Sequence, residues 1–183
     1  MTAIAGGLWD SLLGEGRYSG VLEGLRSGRI FAVAGDLVTQ LEVQAKSGNR
    51  AAGWGETLSV QRGQPVTVTI RFRDPEAKNA HGDKPIVTRV DLIVGDVRGP
   101  VADSNHDQNE TTKVRVRSGP QDWSRVGDVF SMSTTLGPID RNRYLRVRGT
   151  NTSDAEPLMD RPGEDPWADL CFYSNPIFVE VVQ

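Results

Sequence analysis

One loop of the sequence carries oxygen-bearing side chains at every second position, a spacing that could hold a hard cation. Asp103, Asn105, Asp107 and Asn109 alternate within the stretch DSNHDQNE. Calcium loops direct successive carboxylate and amide oxygens at one ion in this way. The match stops there, because Gln108 stands where a helix-loop-helix calcium site has glycine. Asp103, Asn105 and Asp107 are therefore the candidate calcium ligands, and we favour the alternative, an ordinary Asx-rich turn.

The residue types that most often carry out catalysis are scarce in this chain. The two histidines, His81 and His106, lie in polar loops without a partner at metal-ligand spacing, which favours surface positions. The single cysteine, Cys171, stands between Leu170 and Phe172, where a small buried residue is typical. The sequence contains no G-x-S-x-G nucleophile elbow and no glycine-rich phosphate loop. It therefore predicts no catalytic residue and no cofactor-binding residue.

A group of carboxylates near the C-terminus is the remaining candidate for acid–base chemistry. The group lies in and beside the loop NTSDAEPLMDRPGEDPW and consists of Asp154, Glu156, Asp160, Glu164, Asp165 and Asp169. Paired carboxylates cleave glycosidic bonds only where the fold holds them at a set separation across a cleft. We favour a solvated loop here, and an enzyme whose carboxylates converge from distant loops is the least favoured of three hypotheses.

Tryptophan side chains in loops could bind a sugar ring. Trp54, Trp123 and Trp167 all fall in or beside loops. Such a residue either stacks on a ligand or closes the open end of a sandwich, and burial is the commoner outcome for so large a ring. Trp123 and Trp167 are the candidate ligand-binding residues of a second hypothesis, a carbohydrate- or surface-binding module assisted by calcium.

Arginines recur two positions apart in three predicted strands. The pairs are Arg71 and Arg73, Arg115 and Arg117, and Arg146 and Arg148. Side chains two residues apart emerge on the same face of a strand. If these strands are neighbours, they form a basic face that could receive an acidic partner or a carboxylate. We favour the alternative, an outward face balanced by Asp and Glu of adjoining strands, because the net charge is only −3.

The elements that must position these residues are mostly short strands. Helical stripes cover residues 8–13 and 21–25, and from Arg29 the hydrophobic period changes to two. About eight or nine half-buried strands follow, separated by loops rich in Gly, Pro, Asp and Asn, as in an antiparallel β-sandwich of immunoglobulin-like type. We therefore predict a mainly β protein with a lead-in of one or two short helices over residues 1–28 and a β-sandwich domain over 29–183.

Composition limits the classes of partner. A net charge of −3 gives no general attraction for nucleic acid or an anionic membrane. No apolar run has the length of a membrane span, and the stretch MTAIAGGLWD lacks the basic start and apolar length of a signal peptide. The compartment and the oligomeric state are left open by the sequence.

Several stretches, taken in chain order, resemble the C-terminal part of PHP-type (polymerase and histidinol phosphatase) metal-dependent phosphoesterase-like proteins. They are LWDSLLGEGR, YSGVLEGLRSGRIFAVAGDLV, GETLSVQRGQPVTVTIRFRDP, VDLIVGDV, YLRVRGTN and FYSNPIFVEV. The signature parts are a helix-to-strand entry from Gly20 to Arg29 and a closing strand that begins with Ser174 to Ile177. The resemblance implies a β-rich tail of the kind that follows a histidine-rich (β/α) barrel.

The same resemblance implies an accessory module rather than an enzyme. The family's metal ligands come from its barrel and include an H-x-H and a late D-x-H motif, and this chain has neither. No catalytic residue of the family can therefore be assigned to a position here. The first hypothesis is accordingly a non-catalytic interaction module that docks against a catalytic barrel or another partner protein chain.

Overall fold

The structure is a computed structural model that describes residues 2–5, 17–100, 103, 105, 109–154, 163 and 165–183. These residues form one α-helix and thirteen strands, with a short 3-10 turn at Pro120–Asp122. In chain order the elements are β1 (Thr2–Ala5), α1 (Arg17–Ser27), β2 (Ile30–Val33), β3 (Gln40–Ser47), β4 (Arg50–Gly53), β5 (Thr57–Gln61), β6 (Val66–Arg73), β7 (Arg89–Asp96), β8 (Lys113–Ser118), β9 (Ser124–Val126), β10 (Val129–Leu136), β11 (Arg143–Thr150), β12 (Cys171–Ser174) and β13 (Ile177–Val182).

The strands form two open sheets in a sandwich-like arrangement. The larger sheet has seven strands between residues 30 and 182, in a path from β2 through β12, β11 and β13 to β5, with β7 beside β11 and β8 beside β7. The short strand β1 adds an eighth at the β2 edge. The smaller sheet has the order β4-β3-β6-β10-β9. A mainly β fold of two sheets is thus confirmed, and immunoglobulin-like topology stays a prediction.

The core forms where apolar faces of both sheets meet. In β6 the burial alternates along the strand, with Val66, Val68, Ile70 and Phe72 buried, as the sequence pattern predicts. The ring of Phe72 in the smaller sheet lies 6.5 Å from that of Phe172 in the larger sheet. Removal of these side chains from water is the main force that holds the two sheets together.

One strand pair departs from the predicted antiparallel arrangement. β5 and β13 run parallel, with Leu58 opposite Val179. The sequence predicts a strand, a turn at Gly63 and a second strand, and Gly63 does turn the chain with a φ of 84°. However, β5 belongs to the larger sheet and β6 to the smaller one, so this turn crosses between sheets. Because no hairpin joins β5 to β13, nothing requires that pair to be antiparallel.

The N-terminal region contains a helix and also a strand that the sequence did not predict. α1 ends at Ser27, and the φ of 71° of the following Gly28 and its N–H donation to the Leu25 carbonyl are typical of a glycine that terminates a helix. The second predicted helical stripe, residues 8–13, lies outside the described residues. β1 pairs with β2, so residues 2–5 share a sheet with the predicted sandwich. The domain boundary after residue 28 stays a prediction.

The C-terminal segment ends in two strands that both pair with β11. Asn175 and Pro176 separate β12 from β13. The Asn175 amide donates to the Gly28 carbonyl at 3.0 Å, and the Gly55 N–H donates to the Pro176 carbonyl at 2.8 Å. The first bond ties the residue after α1 to the connection between β12 and β13, and the second ties the turn between β4 and β5 to the same connection. In the described part of the chain, no helix has the length and apolar character needed to cross a membrane.

Candidate functional site

Three neighbouring strands of the larger sheet bring arginine side chains around one aspartate. β7 lies between β8 and β11, and Asp91 is in register with Arg117 on one side and Arg148 on the other. Arg89 precedes Asp91 by two residues on β7 and so emerges on the same face. We call these four residues the arginine cluster. Asp91 is 1% exposed, although its face of β7 is opposite the one that carries the core residues Val90 and Leu92.

The carboxylate of Asp91 is shared by all three guanidinium groups. Oδ2 accepts from Nη2 of Arg148 at 2.5 Å and from its Nε at 3.1 Å. Oδ1 lies 3.2 Å from Nε of Arg89 and 3.9 Å from Nε of Arg117. The Arg89 contact is an ion pair without hydrogen-bond geometry, since neither Oδ1 nor that Nε makes a hydrogen bond within the described residues. Among these four residues, three positive charges therefore meet one negative charge.

Arg148 is the most deeply buried cation of the cluster. Burial disfavours its charged form, but hydrogen bonds with Asp91 and Tyr173 favour that form more strongly. The pKa of Arg148 is therefore raised above its ordinary value. Arg148 and Arg117 also have further interactions, whereas Arg89, among the described residues, contacts Asp91 and the Asp154 carbonyl, to which its Nη1 donates.

A cleft of about 550 Å³ opens beside the arginine cluster. We call it the arginine cleft. Its walls come from the start of β7 and the residue before it, from the end of β8, and from the residues that follow β8 and β11. Among the described residues, the lining consists of two arginines, four hydroxyl residues and two amides, with Gly119 and Pro120: Arg89, Arg117, Thr88, Ser118, Thr152, Ser153, Gln121 and Asn151. The volume lies within the range usual for sites that bind small molecules.

Several polar groups of the cleft walls are already fixed. Thr88 Oγ1 donates to the carbonyl oxygens of Thr150 and Thr152. Ser118 Oγ accepts from the Trp123 indole at 2.9 Å. Two groups lack a hydrogen bond within the described residues: Nε of Arg89, which faces Asp91 in an ion pair, and Oδ1 of Asn151, which is buried. An acceptor of this kind is unfavourable unless a donor reaches it.

The predicted calcium ligands lie in a loop whose described residues form turns. The Asn105 N–H donates to Oδ1 of Asp103 at 2.9 Å, as in an Asx turn. The Thr111 N–H donates to Oδ1 of Asn109 at 3.1 Å, another contact of the same type. Asp107 lies outside the described residues. Within the residues that are described, no group of three or more His, Cys, Asp or Glu side chains could hold a metal ion. Calcium binding stays a prediction.

The two predicted ligand-binding tryptophans both contact other rings. Trp123 is half-buried and meets the ring of Phe72 edge-on at 5.0 Å. Trp167 is also half-buried and stacks on His81 at 5.4 Å. Trp54, the third loop tryptophan, is 8% exposed. Trp123 therefore packs beside the core, and its indole N–H donates to Ser118 of the arginine cleft. The spacing of residues in the sequence did not predict this hydrogen bond.

His81 is an exposed histidine with an acidic neighbour. Its Nδ1 lies 2.7 Å from Oδ2 of Asp83. The hydrogen bond with Asp83, supported by the charge of Asp165, raises the pKa of His81 above its usual value. This geometry agrees with the surface position predicted for His81. Three of the acidic residues considered for acid–base chemistry lie outside the described residues: Glu156, Asp160 and Glu164.

The arginine pairs have different surroundings in the two sheets. In the smaller sheet, Arg71 pairs with Glu42 at 3.3 Å and Arg73 with Asp128 at 3.1 Å. Those contacts match the balanced face that we favoured. In the larger sheet, Arg117 and Arg148 instead converge on Asp91, which the sequence analysis did not single out. The sequence feature that could have indicated Asp91 is its position inside the apolar run VDLIV.

The fold and the cleft define a mainly β, two-sheet protein with a candidate site for an anionic ligand. No protein-family model, curated protein or solved structure matches the chain. The resemblance to PHP-type phosphoesterase-like proteins therefore stays a prediction from the residues that carry it.

Proposed function

We propose that this chain is a non-catalytic accessory module that holds an anionic group of its ligand in the arginine cleft. The observation that supports the proposal is the buried carboxylate of Asp91, shared by three guanidinium groups at the edge of a cleft. A ligand carboxylate would supply negative charge to Arg89, whose ion-pair partner among the described residues, Asp91, is already shared. Charge-assisted hydrogen bonds of this type are stronger than neutral ones.

Partial burial strengthens the attraction that Arg89 offers. Its side chain is 13% exposed, so a ligand at this position meets less water than on an open surface. Electrostatic attraction grows as the effective dielectric constant falls. Arg89 is also held at two points, by Asp91 and by the Asp154 carbonyl, and a held side chain loses less entropy when a ligand binds.

The cleft is suited to binding rather than to catalysis. None of the described residues that line it is His, Cys, Asp, Glu or Lys. A serine or threonine nucleophile needs an adjacent base, and the lining side chains do not supply one. Arginine remains protonated at neutral pH and does not act there as a general base. These features support a module that recognises a ligand without transforming it.

The test is calorimetric titration of the protein with glucuronate at constant ionic strength. We expect binding that Arg89→Gln abolishes and that Arg89→Lys weakens, because lysine keeps the charge without the planar fork. Arg71→Gln is the matched control on the smaller sheet and should bind as the wild type does. Thermal denaturation of each variant verifies folding. Binding that persists unchanged in folded Arg89→Gln protein would overturn the proposal.

A second candidate function, docking on a catalytic barrel or another protein chain, is favoured by the surface of α1. Val21, Leu22 and Leu25 are each nearly half-exposed, and Tyr18 is 83% exposed. Apolar side chains grouped on one helix are typical of a protein contact. The proposed relation to PHP-type proteins belongs to this candidate, since their β-rich tail would meet the barrel.

Site-specific photocrosslinking tests this docking surface. A benzoylphenylalanine in place of Leu22 should link α1 to one defined protein chain in cells. The same group in place of Thr135, an exposed residue of the smaller sheet, is the control. Equal products from the two positions would argue against a partner on α1.

A further inference from the structure

We infer that the ligand of the arginine cleft is a hydroxylated carboxylate of the sugar-acid type. The inference rests on the proposed function of the cleft as an anion site and adds a second requirement, hydroxyl donors beside the anionic group. Two wall residues, Asn151 and Thr88, carry that requirement.

Asn151 needs a hydrogen-bond donor. Its Oδ1 is buried and unpaired among the described residues, while its main-chain N–H is held by the Leu170 carbonyl at 3.2 Å. The backbone is thus fixed, but the terminal torsion of an asparagine side chain is soft, so a small rotation can turn Oδ1 towards the cleft. A ligand hydroxyl would satisfy this oxygen. A carboxylate, a sulfate or the dianion of a phosphate monoester would not, because these groups only accept.

Thr88 also favours a hydrogen-bond donor on the ligand. Its hydroxyl hydrogen is directed at the carbonyl oxygens of Thr150 and Thr152, at 3.2 Å and 3.0 Å. Towards a ligand, Thr88 Oγ1 can therefore only accept. The cleft thus offers two hydrogen-bond acceptors, Asn151 Oδ1 and Thr88 Oγ1, together with guanidinium donors. This combination favours a ligand whose ring carries hydroxyl donors and whose charged end accepts hydrogen bonds.

The charged end of the ligand is assigned to Arg89. Its Nε faces Asp91 and its Nη1 donates to the Asp154 carbonyl, whereas its Nη2 makes no hydrogen bond found among the described residues. A carboxylate can accept from this nitrogen. The cleft volume of about 550 Å³ exceeds what a small inorganic anion fills and suits a ligand of monosaccharide size.

The experiment compares three ligands that separate charge from hydroxyl groups. Glucuronate has both, cyclohexanecarboxylate has the charge and a ring of similar size, and glucose has hydroxyls without the charge. We expect glucuronate to bind at least five-fold more tightly than either of the others in calorimetric titrations at constant ionic strength and pH 7.5, a ratio that one added hydrogen bond of about 1 kcal/mol would give.

Variants locate the hydroxyl contact. Asn151→Ala should weaken glucuronate binding about five-fold and leave cyclohexanecarboxylate binding unchanged, because only the first ligand has a donor for Oδ1. Asn49→Ala, in the exposed turn between β3 and β4, is the matched control and should change neither affinity. Thermal denaturation shows whether each variant is folded.

The outcomes separate the two proposals. Equal binding of glucuronate and cyclohexanecarboxylate, both dependent on Arg89, would overturn the hydroxyl requirement and leave the anion site intact. An Asn151→Ala variant that is folded and binds glucuronate as the wild type does would overturn it as well. If neither carboxylate binds, or if glucose binds as tightly as glucuronate, the anion site itself is wrong and the further inference falls with it.

Discussion

Replacing Asp91 with asparagine removes the shared carboxylate while keeping the side-chain size. Asp91 is 1% exposed, and its partners Arg148 and Arg89 are 7% and 13% exposed. Removal of one member of a buried ion pair costs about 3–5 kcal/mol, because the remaining charge stays buried without compensation. Arg117 is 42% exposed and can turn its charge towards water. We therefore expect a loss near the low end, about 3 kcal/mol of unfolding free energy.

Urea unfolding followed by tryptophan fluorescence measures this loss. The matched control is Glu42→Gln, which removes the partner of Arg71 in a pair whose side chains are 49% and 52% exposed. Exposed pairs contribute about 0–1 kcal/mol, so the control should remain close to the wild type. The dependence on urea should have the same slope in all three proteins. If Asp91→Asn lost no more than Glu42→Gln, the reasoning about the buried cluster would be refuted.

Two further changes test packing and titration. Gly149→Ala should cost about 1–3 kcal/mol of unfolding free energy in the same urea assay, because a Cβ at this buried position would overlap the Phe172 ring. The control, Gly137→Ala, has open space around the new Cβ and should be near neutral. Equal effects of the two variants would contradict the prediction. Asp83→Asn should lower the pKa of His81, measured by NMR titration of the imidazole, since the Asp83 hydrogen bond raises it. Since the folded-state pKa of His81 is raised, its protonation adds stability below the unfolded pKa of about 6.5, and this stability is lost as the pH rises through the folded pKa. Asp83→Asn should therefore lack this pH dependence of stability. An unchanged imidazole titration would contradict the prediction.

The strand pattern could be predicted because alternation is a local property. β6 shows it best: Val66, Val68, Ile70 and Phe72 are all buried, as their spacing predicts. The short strand β4, Arg50–Gly53, was missed because its residues RAAG have little β propensity, and its pairing with β3 supplies what the local sequence lacks. The parallel pair of β5 and β13 was missed for a related reason, since strand partners far apart in the chain leave no local signal.

The arginine cluster could be predicted only in part. The spacing placed Arg146 and Arg148 on one face of a strand, and likewise Arg115 and Arg117, but it could not show which strands are neighbours. The register that brings Arg117 opposite Asp91 also depends on an irregularity in the pairing of β7 with β8, between Leu92 and Ile93. A one-residue shift moves every side chain of a strand to the other face, so this site follows from the pairing of whole strands.

The two sheets show that the same arginine spacing can have different consequences. In the smaller sheet each arginine of the pair on β6 has its own acidic partner near the surface. In the larger sheet three guanidinium groups share Asp91, and the carboxylate is buried. Burial of ion pairs costs stability that apolar side chains at these positions would not cost. An anion that enters the cleft adds negative charge beside Arg89 in the folded state alone. Ligand binding and thermal stability should therefore rise together in this protein, and Asp91→Asn, which removes the shared carboxylate, should gain more stability from a saturating anion than the wild type does.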